Sequence, residues 1–496
     1  MKTIFSASRP RGKHLIPSPR HIQWGEHDVK ISDYQLLPWP GAPDLAERYA
    51  AFFPARGGAR RVLLETVDVL GREGYAITIQ PEQIVIRAGA ERGFFYAYQT
   101  LCQLRDGDLL SCVTIEDEPA LAMRGFQLPF HSMRQMTAAD GERLIRTAAK
   151  FKLNTILVEY DDRFPFQRHP AISSGNALSL EQVRRLAELA RENHIDLIPL
   201  MQSFGHLGFV LENAPYDQLR EGNRPEYRYR QQICPTHPGS LPLFIELAGE
   251  IMAEHQSRFF HIGADEVRNL GECPRCAKAV SGIGQEGLFI RHITRICEWV
   301  KKQGRTPILW DDMLSRFPAV LEPLDRETVI MYWDYWTTSE RSPIVVARGS
   351  GKGVVYDARW KKEWAAELTD LERVVTGKFA GPCDLERELS AEYLALFRSY
   401  LGPEFPKYMT PFPNLRFFKE RGFQVIGAPT TLGNTVDETF GLPNYARFLG
   451  NIRQFSRRCI EENALGLVTT AWYDFPVEIL DLGLMATAQF AWHGGE

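Results

Sequence analysis

Residues 258–267, Arg-Phe-Phe-His-Ile-Gly-Ala-Asp-Glu-Val, carry a short apolar run straight into two adjacent carboxylates, Asp265 and Glu266. Neighbours in a regular strand point to opposite faces, so adjacent acids would diverge and one would be buried. Both reach one cleft only where the strand ends and its backbone bends, which the Gly263-Ala264 step permits. Two carboxylates aimed at one cleft can divide general acid and base work between them. On these residues alone, a solvated acidic pair in a loop is the competing reading.

Chemical side chains also follow other apolar runs. Glu159-Tyr-Asp-Asp162 follows one, Gln202-Ser-Phe-Gly-His206 the next, then Trp310-Asp-Asp312, Trp333-Asp-Tyr-Trp336 and Trp472-Tyr-Asp474. Indole rings beside carboxylates suit a sugar, whose C–H faces stack on aromatics while its hydroxyls take charge-assisted bonds. Plugging of a barrel interior is the plain alternative for any one of Trp310, Trp333 and Trp472; their recurrence at equivalent strand ends favours a carbohydrate site.

The elements needed to gather these ends are readable. From Met123 onward, β-rich runs alternate with amphipathic helices, a pattern that requires crossover connections and a parallel sheet. Eight strands begin near Arg124, Asn154, Asp196, Arg258, Pro307, Val329, Gln424 and Leu465. The fold class is therefore α/β, a (β/α)8 TIM barrel preceded by a small α+β domain. Residues 1–118 form that first domain, with a hairpin around Tyr75–Ile86 and a helix over 93–104, and residues 119–496 the barrel. Helices are predicted over 179–193, with Ser179 as N-cap, and over 287–302. The connection after strand six, about 337–422, is too long for a plain crossover and must carry extra helices as a rim or lid.

The 496-residue chain has 58 basic and 62 acidic residues, a net charge of −4, and no block of like charge, which excludes an electrostatic nucleic-acid binder. No apolar run reaches signal-peptide or membrane-spanning length, so no membrane partner and a cytoplasmic location are expected. The eight cysteines are scattered. Only Cys273-Pro-Arg-Cys276 has metal-like spacing, and without a second such pair it reads as local packing or a loop staple, so no metal and no cofactor are expected.

His261-Ile-Gly-Ala-Asp-Glu266 resembles the His-x-Gly-Gly-Asp-Glu signature of family-twenty glycoside hydrolases, the β-N-acetylhexosaminidases. The likeness covers nearly the whole chain and is strongest to the hexosaminidase D-like branch, in 157–165, 198–206, 261–267 and 309–314. It implies substrate-assisted hydrolysis with retention, in which the acetamido oxygen attacks the anomeric carbon to give an oxazolinium ion and no enzyme nucleophile is needed. By the resemblance, Glu266 is the acid and then the base, with a pKa raised by Asp265 and aromatic walls. Asp265 orients the acetamido group, and Arg124 binds the O3 and O4 hydroxyls. Asp162 and His206 support the pair, Trp310 and Trp333 wall the acetamido pocket, Trp472 stacks beneath the ring and Asp474 reads O4 and O6. His261 is assigned a structural place under the strand end.

Four positions depart from the family pattern: Leu128-Pro129 and Glu159 replace its Leu-Asp and strand-two His, the Tyr after strand seven is missing from 427–434, and Asp474 replaces a Glu. Tyr335 or Tyr356 are the candidates to supply the missing hydroxyl, and the shorter arm at 474 bears on GalNAc against GlcNAc. The resulting expectation is an exo-enzyme for terminal β-linked GalNAc or GlcNAc, with oligomeric state open. A related N-acetylhexosamine glycosidase of other linkage specificity and a decayed sugar-binding protein are the alternatives.

Overall fold

The computed structural model describes residues 14–494, apart from 56, 58–59, 132–134, 223–230, 434–442 and 473–475. Two compact units divide after Ala120, with Ala149–Lys152 joining the first. That first unit is a six-stranded mixed sheet in which the 75–79 and 83–88 strands form the expected hairpin, Tyr75 opposite Ala88. Helix Glu91–Leu104 buries Phe94, Phe95, Leu101 and Leu104, and a second helix, Pro43–Phe52, goes beyond the sequence expectation. Within this unit Lys152 Nζ donates to Tyr75 Oη (2.6 Å) and lies 3.3 Å from buried Asp117.

All eight anticipated barrel strands are present: β1 (Met123–Pro129), β2 (Thr155–Glu159), β3 (Asp196–Leu200), β4 (Phe259–His261), β5 (Thr306–Trp310), β6 (Val329–Trp333), β7 (Gln424–Ala428) and β8 (Gly466–Ala471). Each pairs in parallel with the next, β7 pairs with β8, and β8 pairs with β1, so the sheet closes. The barrel centre is filled by Met123, Leu157, Ile198, Leu200, Phe259, Ile308, Trp310, Val329, Met331, Ile426 and Val468. Within each strand these positions differ by two, the period that sends alternate side chains inward. Helix Leu180–Glu192 starts at a capping box in which Ser179 and Gln182 exchange hydrogen bonds. The predicted 287–302 helix is the second half of Pro274–Lys302, bent at Gly284 (φ 71°). No helix among the described residues is long and apolar enough to cross a membrane.

Between β6 and β7 the chain builds four helices, 361–367, 370–378, 391–397 and 413–420, as well as a three-stranded sheet of 344–347, 353–357 and 381–383. The sheet was not anticipated; its strands span only three to five residues, too short for a period to stand out. This insertion has its own core of Ile344, Tyr356, Trp364, Leu368, Val375 and Tyr408. Arg348 ties it to the barrel. Its guanidinium reaches both oxygens of Asp311 (3.2 and 3.0 Å), donates to the Trp333 carbonyl (2.7 Å) and covers the Trp333 ring at 3.7 Å.

Asp311 is fully buried, so removing its cation leaves a charge without its counterion. Arg348→Met should cost about 3–5 kcal/mol in denaturant unfolding. The double variant Arg348→Met/Asp311→Asn should recover part of that loss; no recovery would mean that packing, not charge, accounts for it.

Candidate active site

The C-terminal ends of the barrel strands surround a cavity of about 620 Å³. Its acidic wall comes from the turn after β4. Gly263 (φ 63°), Ala264 (φ 72°) and Glu266 (φ 50°) all adopt left-handed backbone, which brings the consecutive carboxylates of Asp265 and Glu266 to the same cavity. A Cβ at 263 would start 1.8 Å from the Gln202 Oε1, so a larger residue there must displace that side chain as well as accept a backbone that glycine adopts without strain. The turn is held by the Ser203 hydroxyl on the Ile262 carbonyl (2.6 Å), by Trp310 N–H on Gly263 O (3.1 Å) and by Glu266 N–H on Asp312 Oδ2 (2.9 Å). Buried His261 packs beneath, its Nδ1 accepting the Gly263 N–H and its ring 4.7 Å from Trp310.

Two cations face the pair. His206 Nε2 lies 3.3 Å from Asp265 Oδ2 and 3.4 Å from Glu266 Oε2, and Arg268 lies 2.5 Å from Glu266 Oε2. Burial would lower the His206 pKa, but the Asp265 and Glu266 charges outweigh it and hold the imidazole well above its usual value. Burial would raise Glu266, yet the His206 and Arg268 contacts outweigh it and hold its carboxyl at about 2. This corrects the expected upward shift: Arg268, two residues on, brings a charge that the reading of carboxylates and aromatics left out. Asp265 Oδ1 is buried with no hydrogen-bond partner among the described residues.

Behind the pair sit two further carboxylates with raised pKa values. Burial, partly offset by the bonds from Gln202 and Gln127 and reinforced by the Asp265 charge, pushes Glu159 up to about 7. Burial and the same Asp265 charge push Asp312 up to about 7. The opposite wall is aromatic. Asp334 caps the backbone amides of Trp336 and Thr337, fixing the turn that presents Trp333, Tyr335 and Trp336. The Trp472 Nε1 donates to Tyr335 Oη (3.1 Å), and Trp472 and Trp310 stand 6.2 Å apart.

Residues 121–355 match the family pattern described as glycosyl hydrolase family 20, catalytic domain, and residues 13–118 match glycosyl hydrolase family 20, domain 2. The chain belongs to glycosyl hydrolase family 20. Hexosaminidase D of Bos taurus is 31% identical over 198 residues, a match spanning 37% of this chain and 54% of that protein. Hexosaminidase D of Homo sapiens is 30% identical over 201 residues, spanning 37% and 38%. The chain thus spans about half or less of the length of these relatives. A β-N-acetylhexosaminidase structure from Bacteroides fragilis NCTC 9343 superposes with a TM-score of 0.68 at 18% identity, over 98% of this chain and 92% of that one, and is similar in fold.

Of the residues that the family-20 resemblance singles out, Asp162, His206, Asp265, Glu266, Trp310, Trp333, Tyr335 and Trp472 line the one cavity. Arg124 does not. Its guanidinium is fully buried near the start of β1, donating to the Leu121 carbonyl (2.7 Å) and lying over Trp492 at 5.0 Å. The inward positions of β1 have odd numbers, Met123 in the barrel core and Gln127 on Glu159, so an even-numbered residue points outward. Tyr356 packs against Trp364 in the insertion core and is excluded as the replacement hydroxyl. Asp474 lies outside the described residues. Glu159, Gln202 and Asp312, met above as strand-end residues without a role, join the wall or its support, while His131, Gln231, Arg268 and Trp336 are additional lining residues. Strand parity would have flagged Glu159, and proximity to Glu266 would have flagged Arg268.

Buried carboxylates that bind protons more tightly when folded make stability fall with rising pH between the ordinary carboxylate range and about 7. Asp312→Asn keeps an acceptor for the Glu266 amide and removes one such group. Its Tm should decline less than that of the parent chain from about pH 4 to about pH 7; an unchanged slope would show that Asp312 does not titrate in this interval.

Proposed function

We propose that the chain is a retaining exo-β-N-acetylhexosaminidase that removes terminal β-linked GalNAc or GlcNAc by substrate-assisted catalysis. The observation that carries this reading is the convergence of Asp265 and Glu266 on a cavity walled by indoles, with one Asp265 oxygen, Oδ1, lacking a hydrogen-bond partner among the described residues. A buried anionic oxygen without a donor is costly, and an acetamido N–H supplies the donor. Held in that bond, the amide oxygen can attack C1 as the glycosidic bond breaks, and the positive charge of the oxazolinium forms beside Asp265. Glu266 gives its proton to the leaving oxygen and then takes one from the water that opens the ring. Tyr335 Oη, already accepting from Trp472, is the hydroxyl offered to the acetamido oxygen. Trp310, Trp333 and Trp472 supply apolar faces for the sugar, and Asp162 its polar contacts.

The low pKa of Glu266 sets a condition on this scheme. The acid form must be favoured with the leaving group in place, where a sugar entering beside Arg268 separates it from Glu266 while burial, which raises the pKa, persists.

p-Nitrophenyl β-GlcNAc or β-GalNAc should be hydrolysed and p-nitrophenyl β-glucoside left intact; comparable turnover of the glucoside would reject the acetamido mechanism. Glu266→Gln should lower kcat by about 10²–10⁴. Asp265→Asn should weaken binding of an acetamido-thiazoline analogue by roughly 10- to 100-fold, the worth of a hydrogen bond to a charged group. In Arg268→Gln, loss of a cation raises the Glu266 pKa, so the limb of kcat/KM that falls with rising pH should move to higher pH. A limb that stays in place would remove Arg268 from control of that proton.

A further inference from the structure

Away from the catalytic carboxylates, Glu221, Cys234, Cys273 and Cys276 converge although they are distant in sequence. Cys234 Sγ lies 3.4 Å from Cys273 Sγ and 3.5 Å from Cys276 Sγ. One ligand atom from each of the four residues falls within 4.8 Å of the others. Glu221 is fully buried, as is Cys276, and Cys234 nearly so. The three sulfurs are free thiols rather than disulfides.

The carboxylate is the independent sign of a ligand. Glu221 Oε1 accepts the amides of Gly271 (3.0 Å) and Cys273 (3.1 Å), but Oε2 is buried with no hydrogen-bond partner among the described residues. A buried carboxylate with only the weak S–H donors of neighbouring thiols to face its second oxygen is an unfavourable arrangement that a bound cation removes. Cys273 also caps the helix Pro274–Lys302, accepting the Cys276 amide at 3.3 Å, so the Cys-x-x-Cys pair is already folded into a turn with both sulfurs on one side.

We propose that Glu221, Cys234, Cys273 and Cys276 bind a structural zinc ion. Zinc takes thiolate at about 2.3 Å and carboxylate at about 2.0–2.2 Å in a tetrahedron, which sets sulfurs roughly 3.8 Å apart. The observed separations of 3.4 and 3.5 Å need to open by only a few tenths of an ångström. Soft thiolates select zinc over magnesium or calcium, and four protein ligands leave no open position for chemistry on the metal. The third and fourth ligands lie 39 and 52 residues before Cys273, which is why the Cys-x-x-Cys motif looked isolated in the sequence.

The ion joins the loop after β3 to the loop after β4. The same two loops are linked by Asn269 Nδ2 on the Glu221 carbonyl (2.7 Å) and by Gln232 Oε1, which accepts the amides of Arg268 (3.0 Å) and Asn269 (3.3 Å). Gln231 and Arg268 on these loops line the catalytic cavity, and Arg268 reaches Glu266. Zinc therefore acts as a clamp that fixes the Arg268 backbone, and Arg268 is a positioning residue through it.

The full chain, purified without chelators or metal-affinity resin, should carry close to one zinc per chain by inductively coupled plasma mass spectrometry. Replacement with Co2+ should give the visible absorption of a tetrahedral thiolate site, with sulfur-to-cobalt charge transfer. Chelation should strip the zinc and lower the Tm, with recovery on adding zinc, and Cys273→Ser and Glu221→Gln should each reduce zinc content. Should these variants fail to fold, the metal content and cobalt spectrum of the parent chain still decide the matter. Zinc far below one per chain together with no cobalt spectrum would overturn the proposal, as would peptide mapping that finds Cys234 disulfide-linked to Cys273 or Cys276.

Discussion

The site depends on the left-handed turn that ends β4. Three residues at 263, 264 and 266 occupy backbone space that L-residues avoid, at a cost on the order of 1 kcal/mol for each of the two that are not glycine. What holds them there is distributed over the ends of two neighbouring strands: a hydroxyl from the β3 loop, an amide at the end of β5 and the carboxylate of Asp312 just beyond it. The barrel is thus the device that over-determines a strained turn. Relaxing that turn to ordinary extended backbone would send Asp265 and Glu266 to opposite faces.

Turning the two acids inward creates an electrostatic problem that the surrounding residues answer in two ways. Glu159 and Asp312, enclosed and close to Asp265, hold protons more tightly than ordinary carboxyls. His206 and Arg268 instead neutralise charge directly at the cavity. Glu266 belongs to the second arrangement although burial pulls it toward the first, so its protonation depends on how closely the two cations approach. A group balanced between opposing influences suits the acid-then-base role proposed for Glu266.

The aromatic wall answers to a different constraint. Trp333 lies at the junction of β6 and the insertion, between the Arg348 guanidinium and the turn capped by Asp334. Arg348 in turn is held by Asp311, beside the Asp312 that holds the Glu266 amide. Acidic and aromatic walls therefore share support at the end of β5, and the long insertion contributes to the site through this buried ion pair.

The eight strands, the hairpin and the Ser179 cap were legible because each is written in local periodicity or local hydrogen-bonding chemistry. The acidic pair was legible because Gly263-Ala264 announces the bend within the same few residues. Arg124 was misplaced because resemblance assigns a residue type to a role, whereas parity along β1 decides which way the side chain points. Tyr356 was offered for want of any sequence signal that the insertion folds around its own core. The low pKa of Glu266 was legible only in part, since Arg268 is its near neighbour in sequence whereas His206 comes from the loop after β3, and nothing near Cys273 and Cys276 in sequence announces Glu221 and Cys234. By itself the sequence determined the barrel, the strand-end chemistry and the bent acidic turn, since those follow from neighbours along the chain. Only the tertiary structure decided which charges face one another and which thiols meet, because those depend on distances between segments that closure of the barrel brings together.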